Sequence, residues 1–381
     1  MMIRCACAAI LAALFFMVNS ACPKVAQSQE DTPDLDTMIG QMLLVGFRGT
    51  DYSDQGVHYI LEDIRAGRVG GVILFSKDAA LLVGDRNIQS PEQVHNLTAL
   101  LSEAAPLPLF IAADQEGGRV NRFKPDRGFP ETVPSARTMG TMGDSALTRS
   151  YGASTGLTLA GAGLNLDFAP VVDVDVYPES PAIGALERSF SPNPEMVAAQ
   201  GAAFVDGLHD AGILSCLKHF PGHGSARGDT HKGVTDVTTT WSEQELIPYT
   251  RLIGSGHADM VMTAHIVNQN LDPEYPASLS HAVTTNLLRH ELGFTGVIIT
   301  DDLQMGAIQD QYSLDQTVAL AVQAGADILL FGNNLEYDPE VAAKAHAMIK
   351  AMVLDGSVAQ ERIHASYERI MALKSRLASG Q

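Results

Sequence analysis

The sequence predicts an α/β fold, a single (β/α)8 (TIM) barrel with its functional site at the C-terminal ends of the strands. From residue 36 onward, a unit of short apolar run, polar loop and amphipathic helix occurs eight times. The apolar runs are continuous rather than alternating, which is typical of parallel strands buried on both faces. The chain has 381 residues, and a barrel of this kind needs about 250. We therefore assign residues 35–378 to one barrel domain.

The predicted strands and helices alternate along the chain. The strands are residues 42–46, 71–75, 109–113, 164–172, 213–218, 260–265, 297–300 and 328–331. The helices are residues 55–66, 91–104, 146–162, 193–211, 242–255, 281–292, 314–323 and 338–352, with a closing helix at 357–376. Ser242 and Glu245 have the spacing of a capping box. An open doubly wound sheet is the alternative fold, but residues 46–49 lack its usual glycine-rich phosphate-binding turn.

The N-terminal segment has the pattern of a secretory signal peptide. Residues 1–21 combine a positively charged start, an apolar stretch at 8–18 and small residues at the end. The polar residues 22–34 are predicted to form a disordered leader. We expect an exported protein, periplasmic or secreted, with a lipid anchor at Cys22 as the alternative to plain cleavage. Cys216, in a predicted strand, is expected to be an inert core residue without a disulfide.

The composition and net charge of the chain indicate which binding partners are unfavourable. The chain is 46% apolar and 18% charged, which is ordinary for a globular protein with a large core. Its formal net charge of −19 disfavours non-specific binding to nucleic acid or to an anionic membrane surface. We expect a monomer without a membrane span, without a nucleic-acid partner and without a cofactor or metal.

Polar and titratable side chains stand at most of the predicted strand ends. They are Asp114, Asp167 or Asp173, Lys218, His219, His265, Asp301 and Asn333. Because the chemistry of a (β/α)8 barrel takes place at the carboxyl ends of its strands, this clustering indicates an enzyme.

Two of these segments carry candidate catalytic groups. Asp301 and Asp302 follow a predicted strand, where one carboxylate can act as a nucleophile and the other can cap the next helix. Asp229 lies two residues before His231, so its carboxylate can hold one ring nitrogen and leave the other to transfer a proton. A solvated surface pair is the alternative interpretation of Asp229 and His231.

Histidines near the fifth strand also suggest a metal site. His219, His223 and His231 could bind a metal with Asp229, but their spacing matches no helical zinc pair, since Pro221 and the nearby glycines prevent a helix. Lys218 and His219 fit better as hydrogen-bond donors to sugar hydroxyls. Elsewhere, Asp114 can accept from hydroxyl groups, and of Arg119 and Arg122, three residues apart, at least one is expected to pair with a carboxylate.

Taken together, the segments resemble bacterial β-N-acetylglucosaminidases (β-N-acetylhexosaminidases) of glycoside hydrolase family 3. The resemblance spans residues 36–350. It is carried by Asp114-Gln-Glu-Gly-Gly-Arg-Val, Asn165-Leu-Asp-Phe-Ala-Pro-Val-Val-Asp173, Glu187-Arg-Ser-Phe190, Lys218-His-Phe-Pro-Gly-His-Gly224 with Asp229-Thr-His231, Pro276-Ala-Ser-Leu-Ser280 and Gly293-Phe-Thr-Gly-Val-Ile-Ile-Thr-Asp-Asp-Leu-Gln-Met305. The Lys-His-Phe-Pro-Gly-His-Gly and Asp-x-His motifs separate this branch from the β-glucosidases of the family, whose acid/base is a Glu on a second domain.

The resemblance implies roles for eight side chains. Asp301 would be the nucleophile and His231 the acid/base, with Asp229 as its partner. The groups that would hold a terminal N-acetylglucosamine are Asp114, Arg122, Arg188, Lys218 and His219. The implied activity is that of a retaining exo-β-N-acetylglucosaminidase acting on peptidoglycan fragments or chitooligosaccharides, and the implied partner is therefore a carbohydrate substrate.

Three alternatives remain at this stage. The first is a β-glucosidase or β-xylosidase of the same fold. The second is a metal-dependent hydrolase that uses His219, His223 and His231. The third is a sugar-binding protein without turnover, although the presence of Asp301, Asp229 and His231 argues against it. The export signal also departs from the cytoplasmic, wall-recycling members of the family that the sequence resembles.

Overall fold

A computed structural model describes residues 33–378 of the chain. The predicted signal peptide, Cys22 and the leader up to residue 32 lie outside these described residues. Asp34, which we assigned to the leader, is the N-cap of the first helix, where its carboxylate accepts a 2.7 Å hydrogen bond from the main chain of Thr37. Within residues 33–378, no helix is long and apolar enough to cross a membrane.

Eight parallel strands form the barrel. They are β1 (Leu43–Gly46), β2 (Gly71–Ile73), β3 (Phe110–Ala113), β4 (Leu166–Asp167), β5 (Leu214–Phe220), β6 (Met260–Thr263), β7 (Val297–Thr300) and β8 (Leu329–Phe331). Each strand from β1 to β6 pairs with the next one in chain order, and β8 pairs with β1, Leu43 lying opposite Leu329. A parallel bridge between Ile299 and Ile328 joins β7 to the start of β8. The predicted (β/α)8 barrel is therefore confirmed.

Helices surround the barrel and connect its strands. They are α1 (Leu35–Gln41), α2 (Gln55–Arg65), α3 (Pro91–Ala104), α4 (Ala136–Met142), α5 (Ser145–Gly161), α6 (Pro194–Asp210), α7 (Ile247–Gly254), α8 (Ala282–Glu291, with π-helical hydrogen bonding), α9 (Gly306–Gln309), α10 (Leu314–Ala324), α11 (Val341–Leu354) and α12 (Gln360–Ala378). Helices α1, α4 and α9 are not among the helices predicted from the sequence. These helices have four to seven residues, too few to show a helical period.

Short elements complete the chain at the loops. Single 3-10 turns are formed by Pro125–Arg127, Gly184–Leu186, Glu243–Leu246 and Ala277–Leu279. An antiparallel pair joins Lys77–Asp78 to Val83–Gly84, and a parallel pair joins Thr235–Asp236 to Ile266–Val267. These pairs extend the loops that follow β2, β5 and β6, at the end of the barrel where its strands terminate.

The capping box predicted at Ser242 and Glu245 is wrong. The segment starts as the 3-10 turn Glu243–Leu246, and the Ser242 side chain makes no capping hydrogen bond. The Glu245 carboxylate turns inward instead and accepts from the main-chain N–H groups of Gly224 and Ser225. Buried N–H groups need an acceptor, and here that need outweighs a local cap.

The amino end of the barrel is closed by charged side chains. Asp327, fully buried after α10, binds Arg289 and Arg369 at 2.6 and 3.0 Å and accepts a 2.9 Å hydrogen bond from the main chain of Ile298. Conversely, the carboxyl end stays open as a cavity. Cys216 is buried in β5, as predicted.

Candidate active site

A cavity of about 220 Å3 opens at the carboxyl ends of the strands. Seven of the eight side chains assigned from the sequence line it: Asp114, Arg122, Arg188, Lys218, His219, His231 and Asp301. The eighth, Asp229, lies behind His231. The fold thus brings together residues that are almost 190 positions apart in the chain.

Asp301 occupies the end of β7 on the wall of this cavity. Its main-chain N–H donates a 2.9 Å hydrogen bond to the carbonyl of Thr263 on β6, which fixes the backbone. Burial raises the pKa of the Asp301 carboxyl, but the nearby rings of His265, His219 and His231 more than offset this, and its pKa lies below the ordinary value. The carboxylate is therefore ionised near neutral pH, as a nucleophile requires.

The neighbouring Asp302 has a different environment. One oxygen, Oδ1, accepts hydrogen bonds from the main chain of Gln304 at 3.0 Å and of Gly332 at 2.8 Å. Burial raises the pKa of Asp302 to about 6. The N-cap of the next helix is Met305, so Asp302 does not cap that helix. It holds the turn after β7 and ties this turn to the end of β8.

His231 is held by its partner Asp229. The ring Nδ1 lies 2.9 Å from the Asp229 carboxylate, which also accepts from the main-chain N–H of His231 at 3.1 Å. An ionised carboxylate only accepts, so Nδ1 carries the proton. The hydrogen bond that His231 donates to Asp229 raises the pKa of His231 against the opposing effect of burial. With 57% of the side chain exposed, the second ring nitrogen, Nε2, stays accessible for proton transfer.

The loop that carries His231 is attached to the segment that follows Asp301. The main-chain N–H of Ala307 donates to the carbonyl of Thr230 at 3.1 Å. The Thr230 hydroxyl, buried, lies 3.5 Å from Nε2 of His223. Two contacts at one residue therefore hold this loop over the cavity.

Buried ion pairs form the floor of the cavity. Nζ of Lys218 lies 2.8 Å from Asp114 and 2.7 Å from Glu116. Arg122 binds the second oxygen of Asp114 at 3.1 Å, and Arg188 binds both oxygens of Glu116 at 2.7 and 2.8 Å. Burial opposes ionisation of Asp114 and Glu116, but the adjacent cations lower the pKa of both, that of Glu116 to about 2. The floor thus carries fixed charges with several unused acceptor and donor positions.

The ring of His219 lies between the carboxylate of Asp173 and the guanidinium of Arg188. Its Nδ1 lies 2.7 Å from Asp173, and its Nε2 lies 3.3 Å from the Arg188 guanidinium. Because a guanidinium only donates, Nε2 accepts and the proton is on Nδ1. The sequence predicts that His219 donates to a sugar hydroxyl, but in this arrangement the nitrogen that faces Arg188 is an acceptor.

Sequence reasoning missed the roles of Glu116 and Asp173. Glu116 lies in the segment that carries Asp114, but nothing local shows that it pairs with Arg188, 72 positions away. From the sequence, either Asp167 or Asp173 could be the carboxylate at the end of the fourth strand, and the structure gives the two residues different roles. Asp167 ends β4 and accepts from the main chain of Gln115 at 2.9 Å, whereas Asp173 orients His219.

The metal-site alternative requires three histidines to converge. The rings of His219 and His223 are 5.8 Å apart, and His219 points at Asp173. Within residues 33–378, no group of three or more His, Cys, Asp or Glu side chains has an arrangement that could hold a metal ion. The geometry of these side chains therefore does not support the metal-dependent hydrolase.

A second cavity, of about 380 Å3, continues outward from the first. The two share Phe75, Arg122, His231 and Asp302 as walls. The outer cavity is lined by three further cationic side chains: Lys77, Arg119 and Lys124. In a chain of net charge −19, these side chains form a local concentration of positive charge around the outer cavity.

Sequence and structure comparisons define the class of protein. Residues 34–373 match the N-terminal domain of glycosyl hydrolase family 3, so the chain belongs to this family. It is 35% identical over 377 residues to β-hexosaminidase A of Pseudoalteromonas piscicida, covering 89% of this chain and 61% of that protein. It is 38% identical over 298 residues to the β-hexosaminidase of Xylella fastidiosa strain M23, covering 76% of this chain and 82% of that protein.

A solved structure shows the same architecture. The family 3 β-N-acetylglucosaminidase of Paenibacillus sp. strain FPU-7 superposes with a TM-score of 0.82 at 36% identity, over 91% of this chain and 63% of that one. The chain therefore spans less than two thirds of the length of the Pseudoalteromonas and Paenibacillus proteins.

Proposed function

We propose that the protein is a retaining exo-β-N-acetylglucosaminidase. The observation that carries the proposal is the ionised Asp301 at the end of β7, in one cavity with a histidine whose Nδ1 is held by Asp229. The names of relatives at 35–38% identity, which are β-hexosaminidases, support this activity. A β-glucosidase of the family would need an acid/base on a second domain, whereas His231 supplies that group within the barrel.

In the first step, the Asp301 carboxylate attacks the anomeric carbon and the imidazolium of His231 gives its Nε2 proton to the leaving oxygen. The C–O bond to the leaving group breaks as the bond to Asp301 forms. Asp229 keeps the Nδ1 proton in place and stabilises the cationic ring before transfer, which explains the raised pKa of His231. General acid assistance of this kind contributes about 10²–10⁴-fold.

In the second step, the neutral Nε2 of His231 accepts a proton from water. The resulting hydroxide attacks the anomeric carbon, displaces Asp301 and releases the sugar with its original β configuration. The imidazolium is regenerated for the next cycle. One ring nitrogen serves both steps, because Asp229 never releases the other.

Asp114 and Lys218 are the proposed ligands of the sugar hydroxyls. Asp114 uses one oxygen for Lys218 and the other for Arg122, which leaves a lone pair on each for hydroxyl donors. Arg122 and Arg188 fix the carboxylates, and His219 offers the acceptor nitrogen that now faces Arg188. The small volume of the inner cavity, about 220 Å3, supports an exo mode of action on a terminal sugar.

The outer cavity suits the leaving group. Lys77, Arg119 and Lys124 line it, so an acidic leaving group is favoured over a neutral one. Between the two expected substrate classes, this favours peptidoglycan fragments, which carry carboxylates, over chitooligosaccharides. The secretory pattern of residues 1–21 leads us to propose action in the periplasm or outside the cell.

The proposal is tested by comparing 4-nitrophenyl β-N-acetylglucosaminide with the corresponding β-glucoside and β-xyloside. We expect hydrolysis of the first substrate at least about tenfold above the other two in kcat/KM. NMR during turnover should show β-N-acetylglucosamine as the first product, ahead of mutarotation. Faster cleavage of the glucoside, an α first product, or loss of activity in chelator would contradict the assignment.

A further inference from the structure

The loop that carries His231 begins at the end of β5, and two buried carboxylates hold its first residues. Asp173 Oδ1 accepts from the main-chain N–H groups of His219 at 3.2 Å and His223 at 2.8 Å. Glu245 Oε2 accepts from those of Gly224 at 3.0 Å and Ser225 at 3.3 Å. These four main-chain N–H groups therefore donate their hydrogen bonds to carboxylates from two other segments of the chain.

Glu245 is packed against this loop as well as bonded to it. It is fully buried. A Cβ placed on Gly222 would lie 2.5 Å from Cβ of Glu245, and Gly222 has a φ of +124°. Nearby, Trp241 donates its indole N–H to the carbonyl of Pro221 at 3.1 Å. The segment from Trp241 to Glu245 thus clamps the turn that leads toward His231.

A buried carboxyl without a cation is costly. No Lys, Arg or His side chain within residues 33–378 forms an ion pair with Glu245. Burial raises its pKa to about 7. The Glu245 side chain is held instead by the hydrogen bonds that the main-chain N–H groups of Gly224 and Ser225 donate to it. These bonds restrain the loop.

The position of the imidazole depends on both ends of the loop. Ser225 lies six positions before His231, and the far end is fixed by the hydrogen bond between Thr230 and Ala307. Asp229 restrains the ring relative to the loop, but not the loop relative to the barrel. If the near end is released, His231 can shift with respect to Asp301, although every group in the cavity is still present.

We propose that Glu245 is a positioning residue for His231: it fixes the start of the loop through the N–H groups of Gly224 and Ser225 and so sets where the imidazole meets the leaving oxygen. The inference rests on the proposed function, in which His231 is the general acid. Glu245 is not among the side chains that line the two cavities.

The first test separates acid catalysis from sugar binding. Glu245→Ala is assayed on N,N′-diacetylchitobiose, whose leaving group needs protonation, and on 4-nitrophenyl β-N-acetylglucosaminide, whose leaving group does not. We expect kcat on chitobiose to fall about 10–100-fold and kcat on the aryl substrate to fall less than about threefold, with KM unchanged. Glu243→Ala, an exposed position in the same 3-10 turn, should match the wild type on both.

A conservative variant checks that hydrogen bonding is the cause. Glu245→Gln keeps an acceptor oxygen and has the shape of the protonated carboxyl, so we expect its ratio of the two kcat values to lie within about threefold of the wild-type ratio. Asp259→Asn is a control for general loss of stability, because Asp259 accepts from the main chain of Ser215 at the opposite end of β5. It should lower the melting temperature without changing the ratio.

Amide hydrogen exchange gives a readout that needs no activity. In Glu245→Ala, peptides covering residues 221–231 should exchange faster, while those covering α12 should not change. A wild-type kcat ratio in Glu245→Ala, or unchanged exchange in residues 221–231, would overturn the inference. If the wild-type protein cleaved no β-N-acetylglucosaminide, the proposed function would fail, and exchange would still decide whether Glu245 holds the loop.

Discussion

The main-chain N–H of Ala307 donates a 3.1 Å hydrogen bond to the carbonyl oxygen of Thr230. Thr230 directly precedes His231, and Ala307 lies six positions after Asp301. The two groups assigned to the chemistry come from loops after different strands, β5 and β7. This hydrogen bond joins those loops, so the separation between nucleophile and acid is set where the loops touch.

Gly306 is the position where this contact can be disturbed without changing a catalytic group. A Cβ there would lie 3.1 Å from the carbonyl oxygen of His231 and 3.2 Å from the main chain of Gly233. We therefore expect Gly306→Val to displace the His231 loop and to lower kcat on chitobiose about tenfold or more, because small misplacements are costly in catalysis.

The matched control for this change is Gly254→Ala. Gly254 ends α7, and a Cβ there would meet nothing within 4 Å. This variant should keep the wild-type kcat. If Gly306→Val kept it as well, with an intact fold by circular dichroism, the two loops would not control the separation of Asp301 and His231.

Asp301→Ala should remove activity by several orders of magnitude while the melting temperature stays close to that of the wild type. The Asp301 carboxylate is the only proposed nucleophile. It accepts a hydrogen bond from the main-chain N–H of Asp302, but other hydrogen bonds also hold this segment of backbone, so the fold should not depend on the carboxylate. Azide added to the variant with an aryl substrate should restore part of the turnover and give the α-glycosyl azide.

Asp310→Asn, an exposed position at the end of α9, is the control and should be fully active. Retention of roughly a tenth of the wild-type kcat by Asp301→Ala would end its assignment as the nucleophile.

Asp229→Asn should change the pH dependence of the reaction. The hydrogen bond that His231 donates to Asp229 raises the pKa of His231, and the first step needs the protonated ring. In the wild type, kcat/KM therefore falls as the pH rises through this pKa. Loss of the carboxylate lowers the pKa of His231, so the alkaline limb should move to lower pH.

The measurement is a kcat/KM profile between about pH 5 and 9 on an unactivated substrate. Asp236→Asn removes an exposed carboxylate from the same part of the chain and should leave the limb in place. A shift of the limb to higher pH in Asp229→Asn would contradict the proposed pairing.

The fold could be predicted from the sequence because strands buried on both faces appear as continuous apolar runs, and each of the eight runs overlaps one barrel strand, although β5 extends two residues beyond its predicted end. The last of these, β8, spans Leu329–Phe331 within the predicted 328–331. The positions of the longer helices could also be predicted, but their hydrogen-bond pattern could not. The sequence predicts an ordinary α-helix for α8, whereas the structure has π-helical hydrogen bonds there. Periodicity of apolar residues does not distinguish the two.

Contacts within the candidate site could be predicted from the sequence only where the interacting residues are close together in the chain. Asp229 and His231 are two positions apart and do pair. Glu245 shows the opposite case, since a local capping rule assigned it to Ser242, whereas its partners are 20 and 21 positions away. Contacts such as Lys218 with Asp114, 104 positions apart, depend on the closed barrel and leave no local signal.

Lys124→Glu should discriminate between leaving groups. Lys124 lines the outer cavity with Lys77 and Arg119, so reversing its charge should raise KM for a wall-derived acidic disaccharide about tenfold, equivalent to about 1.4 kcal/mol. KM for chitobiose should not change, and the difference should shrink as salt is added.

Arg65→Glu makes the same change in net charge at an exposed position at the end of α2, next to the start of β2, and serves as the control. An equal effect of Lys124→Glu on both substrates would show that the outer cavity does not select by charge.

Lys374 predicts a pH dependence of stability that is independent of the active site. It is fully buried on α12, where Nζ donates to Gln41 at 2.6 Å and to the carbonyl of Gly70 at 2.7 Å and lies 4.7 Å from the centre of the Phe110 ring. Burial lowers its pKa from 10.5 to about 7. Between these two values, the unfolded chain binds one proton more than the folded chain. The free energy of unfolding therefore rises with pH through this window, by up to about 1.4 kcal/mol per pH unit.

Lys374→Met cannot titrate, so the stability of the wild type relative to this variant should grow as the pH is raised from about 7 to 9.5. Loss of the hydrogen bonds to Gln41 and Gly70 adds a difference in unfolding free energy that does not depend on pH. Only the change of this difference with pH tests the pKa of Lys374. Urea denaturation at several pH values gives both. Lys350→Met, at a partly exposed position on α11, should show no such slope. A difference between wild type and Lys374→Met that stays constant with pH would mean that Lys374 keeps its proton in the folded barrel, because its two carbonyl acceptors and the Phe110 ring then outweigh its burial.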